Sequence, residues 1–288
     1  MFEGAYTAIV TPFNKDGSVD YGRYRDLIEF QVQNGIDGIV PVGTTGESPT
    51  LTNEEHLKVI EETVRGVHGR TKVIAGTGAN STAEAVELTK RAVELGVNAT
   101  LQVTPYYNKP NQEGLYRHFS TVAEIGLPVI LYNVPGRTSL EISIETVARL
   151  AEHPNVAAVK EASGKVERVR QTLDACRIDV LSGDDALTLP MIRDGAIGVI
   201  SVASNLIPGV MVSLVNTATE GQLDAAQFLH DKYKELFDAM FIDTNPIPVK
   251  AALAMMGKIE EVYRLPLCEM SPDDRETLRN VLASVELI

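Results

Sequence analysis

The sequence predicts an α/β fold, a parallel (β/α)₈ barrel followed by a helical appendix, and three observations carry that expectation. Short aliphatic runs recur eight times, each is apolar almost throughout, and each gives way to a longer amphipathic stretch. Near-continuous apolar character is what strands covered on both faces require. Eight alternations within about 220 residues fit a closed barrel better than an open doubly wound sheet.

The runs come in order. AYTAIVTPF (5–13) ends at Thr-Pro; GIVPV (38–42) leads into Gly43-Thr44-Thr45-Gly46-Glu47; KVIAGTG (72–78) ends at glycine. ATLQVTP (99–105) precedes Tyr106-Tyr107-Asn108, and PVILYN (128–133) precedes Val134-Pro135-Gly136-Arg137. VAAVKEA (156–162) holds Lys160-Glu161, DVLSGD (179–184) ends in Ser182-Gly183-Asp184 before Asp185, and GVISVAS (198–204) holds Ile200-Ser201. Between them, TNEEHLKVIEETVRGV and STAEAVELTKRAVELG each place Ser or Thr ahead of an acidic first turn and Gly near the end, as helix caps do. After Asn216 the strand signal stops, and helical patterns follow at 222–240, 246–257 and 272–285. Residues 1–220 are therefore expected to form the catalytic barrel and 221–288 an appendix packed on it, since the links FIDTNPIP and YRLPLCEMSP are short and proline-rich.

Composition narrows the function. The 288 residues include 26 bases and 39 acids, a formal charge of −13, so the overall field repels nucleic acid and anionic membranes. Two cysteines with no CxxC, and an N-terminus without a basic segment leading into a long apolar one, fit a reduced cytoplasmic setting. The five histidines show no HExxH spacing, the nearest dinucleotide fingerprint at Gly76–Ser81 lacks its third glycine, and neither GxxxxGK[ST] nor GxSxG occurs.

Barrel chemistry sits at the C-terminal ends of the strands, and the unusual residues fall there. Lys160 places an amine within an apolar strand, where desolvation disfavours the ammonium form; a neutral amine can form an imine with a 2-oxo acid. The competing reading is a strand-end lysine that reaches solvent or pairs with Glu161. Tyr132 ends another strand at similar height and could move protons, although tyrosine is also a common core-edge residue. Thr44 and Thr45, between two glycines, suit either a carboxylate-binding turn or an ordinary β–α turn. Arg137 has the planar fork that grips a carboxylate, or is a solvated loop charge. Glu47, Asp184 and Asp185 read as metal ligands or, more often for loop acids, as helix caps. Tyr106 and Tyr107 form an aromatic pair open to roles at an interface or as a loop anchor.

In this order the residues resemble the dihydrodipicolinate synthase (4-hydroxy-tetrahydrodipicolinate synthase) branch of the N-acetylneuraminate lyase superfamily of class I aldolases. The likeness spans the chain through GTTGES (43–48), VIAGTGAN (73–80), TPYYNKP (104–110), LYNVPGRT (131–138), KEA (160–162), LSGDDA (181–186) and NPIPVKAA (245–252). It implies that Lys160 forms a Schiff base with pyruvate, that Tyr132 moves the protons, and that Thr44 links Tyr132 to Tyr107, which in the family enters the neighbouring subunit's site. Thr45, the backbone at Ile200 and Gly183 would hold pyruvate, and Arg137 the carboxylate of L-aspartate 4-semialdehyde. The resemblance implies no bound cofactor beyond the covalent imine, with at most a monovalent cation, no metal, and a homo-oligomer that is a dimer of dimers. Arg137, and GTTGE where sialic-acid lyases tend to read GSTGE, favour the synthase over a lyase or sugar-acid aldolase. A pyruvate-binding sensor would keep Thr45 and Arg137 but could dispense with Tyr132 or Lys160, and both are present. Ser48, His56, Asn80, Glu84 and Tyr106 match positions of a lysine-effector site, whereas Pro49 and Asn53 depart from the sensitive pattern, so weak lysine sensitivity at most is expected.

Overall fold

A computed structural model describes residues 2–288. Parallel strands β1 (Gly4–Ala8), β2 (Gly38–Val40), β3 (Lys72–Gly76), β4 (Ala99–Val103), β5 (Val129–Asn133), β6 (Val156–Glu161), β7 (Asp179–Ser182) and β8 (Gly198–Ser201) close in chain order, with β8 pairing back to β1. Around them run α1 (Tyr21–Gln33), α2 (Asn53–Val67), α3 (Thr82–Leu95), α4 (Gln112–Ala123), the short α5 (Pro135–Thr138), α6 (Ile144–Ala151), α7 (Glu167–Ala175), α8 (Thr188–Arg193) and α9 (Pro208–Thr219). The expected (β/α)₈ barrel is thus present.

Alternation along each strand divides the core in two. Tyr6, Ile74, Ile130, Leu181 and Ile200 fill the barrel interior, while Ile39, Val73, Leu131 and Val159 pack outward against the helices. Both sets are buried, which is why the runs read as continuously apolar.

The strands end sooner than the runs do. Past Ala8 the expected strand 5–13 leaves the ladder because Asn205 takes over its backbone: Nδ2 donates to the Ala8 carbonyl at 2.8 Å and Oδ1 accepts from the Val10 N–H at 3.1 Å. The other runs except 128–133, which keeps its C-terminal end at Asn133, are likewise trimmed at their C-terminal ends, where the chain turns outward to build the mouth. Helix caps divide similarly. Thr52 and Glu55 form a reciprocal capping box on α2, but that helix ends at His68, with φ 48°, and not at Gly66. Gly66 instead lets α1 approach, since a Cβ there would meet Ile28 Cγ2 at 2.9 Å. On α3 the terminal Gly96 is left-handed as expected, whereas Ser81 makes no capping bond.

The last three helices, α10 (Leu223–Ala239), α11 (Ile247–Met255) and α12 (Pro272–Ser284), follow the predicted pattern closely. α10 packs on α9 and α8, and α11 packs on α12 and on the 203–205 turn beyond β8. Every residue from Ile247 to Leu253 is buried, so α11 is enclosed on all sides. Among the described residues no helix is long and apolar enough to cross a membrane.

The β1/β8 seam closes around two glycines. A Cβ at Gly198 would lie 2.1 Å from the Gly4 carbonyl oxygen. Backbone cannot yield as a side chain can, so Gly198→Ala is expected to cost at least about 2–3 kcal/mol, read as a lowered midpoint in denaturant unfolding.

Candidate active site

Lys160 and Tyr132 are register partners in the β5/β6 ladder, so the backbone sets their two side chains at one height in the barrel. The Lys160 Nζ lies 4.2 Å from the Tyr132 ring centroid, and the lysine is only 6% exposed. No carboxylate pairs with it among the described residues. It reaches into a cavity of about 110 Å³ whose wall includes Thr44, Thr45, Tyr132, Arg137 and Gly183. Gly183 borders the lysine closely: a Cβ there would meet Lys160 Cε at 2.9 Å and Ala162 Cβ at 2.6 Å.

Glu161 is not the partner of Lys160. As the next residue in the strand it points the other way, into the layer beneath the helices. There it accepts from Asn133 Nδ2 at 3.0 Å on both oxygens, from Arg168 Nε at 2.9 Å and from the Ser163 N–H at 2.8 Å. Its charge is answered there, and the amine remains unpaired in the mouth.

The turn after β2 is tight. Gly46 and Ser48 donate to the Gly43 carbonyl at 3.1 and 3.3 Å, and Glu47 donates to the Thr44 carbonyl at 3.1 Å. Thr45 is buried and accepts from Asn245 Nδ2 at 3.1 Å, while the carbonyl of the same asparagine accepts from Arg137 Nη2 at 3.0 Å. Asn245 therefore holds Thr45 and Arg137 together. It lines the cavity with Phe241, and its Oδ1 is buried without a partner. Sequence reasoning gave neither residue a role. NPIPVKAA signalled the segment, but no periodicity says that a residue two hundred positions away meets Thr45.

The loop acids hold protein groups. Glu47 pairs with Lys250, and Asp184 Oδ1 accepts from the Ala186 N–H at 3.0 Å. Asp185 Oδ2 accepts from the N–H groups of Val202 and Ala203 at 3.0 and 2.8 Å, joining the ends of β7 and β8. Burial lifts its carboxyl to about 6, against those amide bonds.

Two expected residues lie outside the cavity. Ile200 is fully buried in the barrel interior and does not line it. Tyr107, left-handed at φ 71°, is 93% exposed and touches neither Thr44 nor Tyr132 within this chain. The expected effector residues are brought together: Ser48, His56, Glu84 and Tyr106 line a second cavity of about 390 Å³, along with Pro49 and Asn53. Asn80 stands behind them, donating from Nδ2 to the Tyr106 carbonyl at 3.2 Å. Thr44, Tyr132 and Arg137 also line this cavity, so the two chambers share a wall.

The sequence matches the Dihydrodipicolinate synthetase family over residues 1–285. It is 55% identical to a 4-hydroxy-tetrahydrodipicolinate synthase of Thermodesulfovibrio yellowstonii, over all of both chains. The fold is similar to the crystal structure of dihydrodipicolinate synthase from Aquifex aeolicus, with a TM-score of 0.98, 50% identity and 99% of each chain covered. A DHDPS from Cyanidioschyzon merolae with lysine bound is similar at a TM-score of 0.97 and 42% identity, covering 100% of this chain and 99% of that one.

His56 donates from Nε2 to the Gly76 carbonyl at 2.9 Å as a neutral ring, and burial pushes it down to about 4. Its unfolded value is higher, so the unfolded chain binds the extra proton first as pH falls. Stability should be complete above about pH 6.5 and decline toward about pH 4. Thermal midpoints across that window should fall less steeply in His56→Gln than in the parent.

Proposed function

The chain belongs to the dihydrodipicolinate synthetase family, and from that premise we propose how its mouth residues act. The enzyme is a lyase that condenses pyruvate with L-aspartate 4-semialdehyde to 4-hydroxy-tetrahydrodipicolinate, a step of diaminopimelate and lysine biosynthesis. We place this reaction in the barrel unit of residues 1–220, whose mouth the helices of 221–288 help to wall, in a cytoplasmic setting.

The observation that carries the reading is a buried amine with no counter-ion among the described residues, held against a phenol in a small cavity. Thr45 binds the pyruvate carboxylate, with the backbone at Ile200 and Gly183 behind it. The Lys160 amine attacks the ketone carbon, and the carbinolamine loses water as Tyr132 supplies a proton, leaving the imine. Loss of a methyl proton gives the enamine, which attacks the aldehyde carbon of the semialdehyde. Arg137, at the mouth, grips the carboxylate of that second substrate with its fork. The substrate's own amine then adds to the imine carbon, expels Lys160 and closes the six-membered ring. No cofactor enters any of these steps.

Tyr107 supports a dimer at least. Its phenol is solvent-facing on a strained backbone, so it completes the Thr44–Tyr132 relay only by entering the mouth of a neighbouring copy. A dimer of dimers is the assembly we propose. The larger chamber takes lysine weakly, because Pro49 and Asn53 stand in its wall.

Borohydride reduction in the presence of pyruvate should fix the pyruvate mass on the Lys160 peptide, and Lys160→Met should abolish it; an unmodified Lys160 peptide in the parent would sink this chemistry. The parent should consume aspartate semialdehyde and leave N-acetylneuraminate intact. Losing a charge-assisted fork costs roughly 1.5–3 kcal/mol, so Arg137→Ala should raise the KM for the semialdehyde roughly ten- to hundredfold while trapping of pyruvate persists. Tyr107→Phe should slow turnover about tenfold or more, as loss of a proton-relay member does.

A further inference from the structure

Behind the Thr44–Thr45 turn lies an ion pair that the reaction does not touch. Glu47 and Lys250 are both fully buried and in direct contact. The Lys250 Nζ also sits 4.3 Å from the Phe13 ring centroid and 5.2 Å from that of Tyr263. On the other carboxylate oxygen, Glu47 accepts from the Arg264 N–H at 3.4 Å. Burial drives the ammonium of Lys250 toward its neutral form, and the Glu47 charge opposes this.

A buried pair is a poor source of stability, because desolvation consumes most of the attraction and an apolar pair of similar volume often serves as well. Its place is more informative. Glu47 ends the turn in the left-handed region at φ 54°, and the β-branched Val42 precedes the turn at φ 51°. Non-glycine residues hold such backbone only where surroundings over-determine it. The Thr11 hydroxyl donates to the Gly46 carbonyl at 2.7 Å, Asn245 reaches Thr45, and Lys250 fixes Glu47. Lys250 lies in the first turn of α11 and Asn245 two residues before that helix begins, so the N-terminal end of α11 and its lead-in grip the turn at two points.

We propose that Glu47 and Lys250 are positioning residues for pyruvate capture, the pair locking the Thr44–Thr45 turn in the conformation that receives the keto acid's carboxylate. The proposal rests on the reading of Thr45 as a pyruvate ligand. It assigns α11 a part in the reaction although Lys250 never meets a substrate.

Two variants test it. Glu47→Leu with Lys250→Met removes both charges and orphans neither, and Glu47→Gln keeps the shape and one hydrogen bond. The double variant should remain folded by far-ultraviolet circular dichroism and show a pyruvate KM raised about tenfold or more, with lowered kcat. Its KM for aspartate semialdehyde should change less than about threefold, because Arg137 keeps its anchor on Asn245. Borohydride trapping at saturating pyruvate should still reach the parent's stoichiometry, and Glu47→Gln should shift the pyruvate KM less than the double variant. An unchanged pyruvate KM in folded protein would overturn the proposal, as would failure of both variants to fold, which would assign the pair to folding alone. Absence of trapping in the parent would instead remove the functional reading itself, before any variant is compared.

Discussion

The period of two along β6 is the constraint on which the site depends. Adjacent residues on a strand face opposite ways. Lys160 and Glu161, a potential ion pair in sequence, are thereby sent to opposite sides of the barrel wall. The carboxylate goes to Arg168, Asn133 and the Ser163 amide, where every charge is answered. The amine goes to the mouth, where none is. A single-residue slip of register would reverse both assignments, leaving a carboxylate in the mouth cavity and the amine beneath the helices. The shift in the β5/β6 ladder near Val129 and Ile130 falls below Tyr132 and Lys160, which stay directly paired above it.

The strands place Lys160 and Tyr132, but distant segments hold the loops around them. Asn245 ties Thr45 to Arg137, Asp185 ties the end of β7 to the residues after β8, and Arg264 brings the C-terminal segment onto Glu55 at 2.6 Å and the Thr50 carbonyl at 2.8 Å. The last helices therefore complete the mouth as well as covering the barrel's outside. Enclosing α11 on all sides makes its first turn stiff, and a stiff element suits the holding of a turn with two left-handed residues.

Much of this was legible in the sequence because it is written in local period. Doubly buried strands read as aliphatic runs, and the polar residues at their ends mark the mouth, so Lys160, Tyr132, Thr44 and Thr45, which line one cavity, stand out in the sequence. Strand ends were less legible, since whether Ile9 or Val10 continues a ladder is decided by Asn205, far along the chain. Gly66 reads like a cap but serves helix packing. Ile200 sits on its expected strand with its side chain in the interior core, which leaves its backbone as the group available to a ligand. Phe241, Asn245 and Lys250 carried no signal of their own, because their roles arise only when the chain closes on itself.

Gly183 bears on how far the barrel could be redesigned. The lysine stem passes through space that even a methyl group at residue 183 would contest, and the neighbouring Ala162 leaves no slack on the other side. Widening the cavity for bulkier aldehydes is thus open along the rim, around Phe241 and Arg137, and closed at this one point. A library that randomises the β7 loop would have to keep a lone hydrogen there, or else rebuild the path that the Lys160 side chain takes into the cavity.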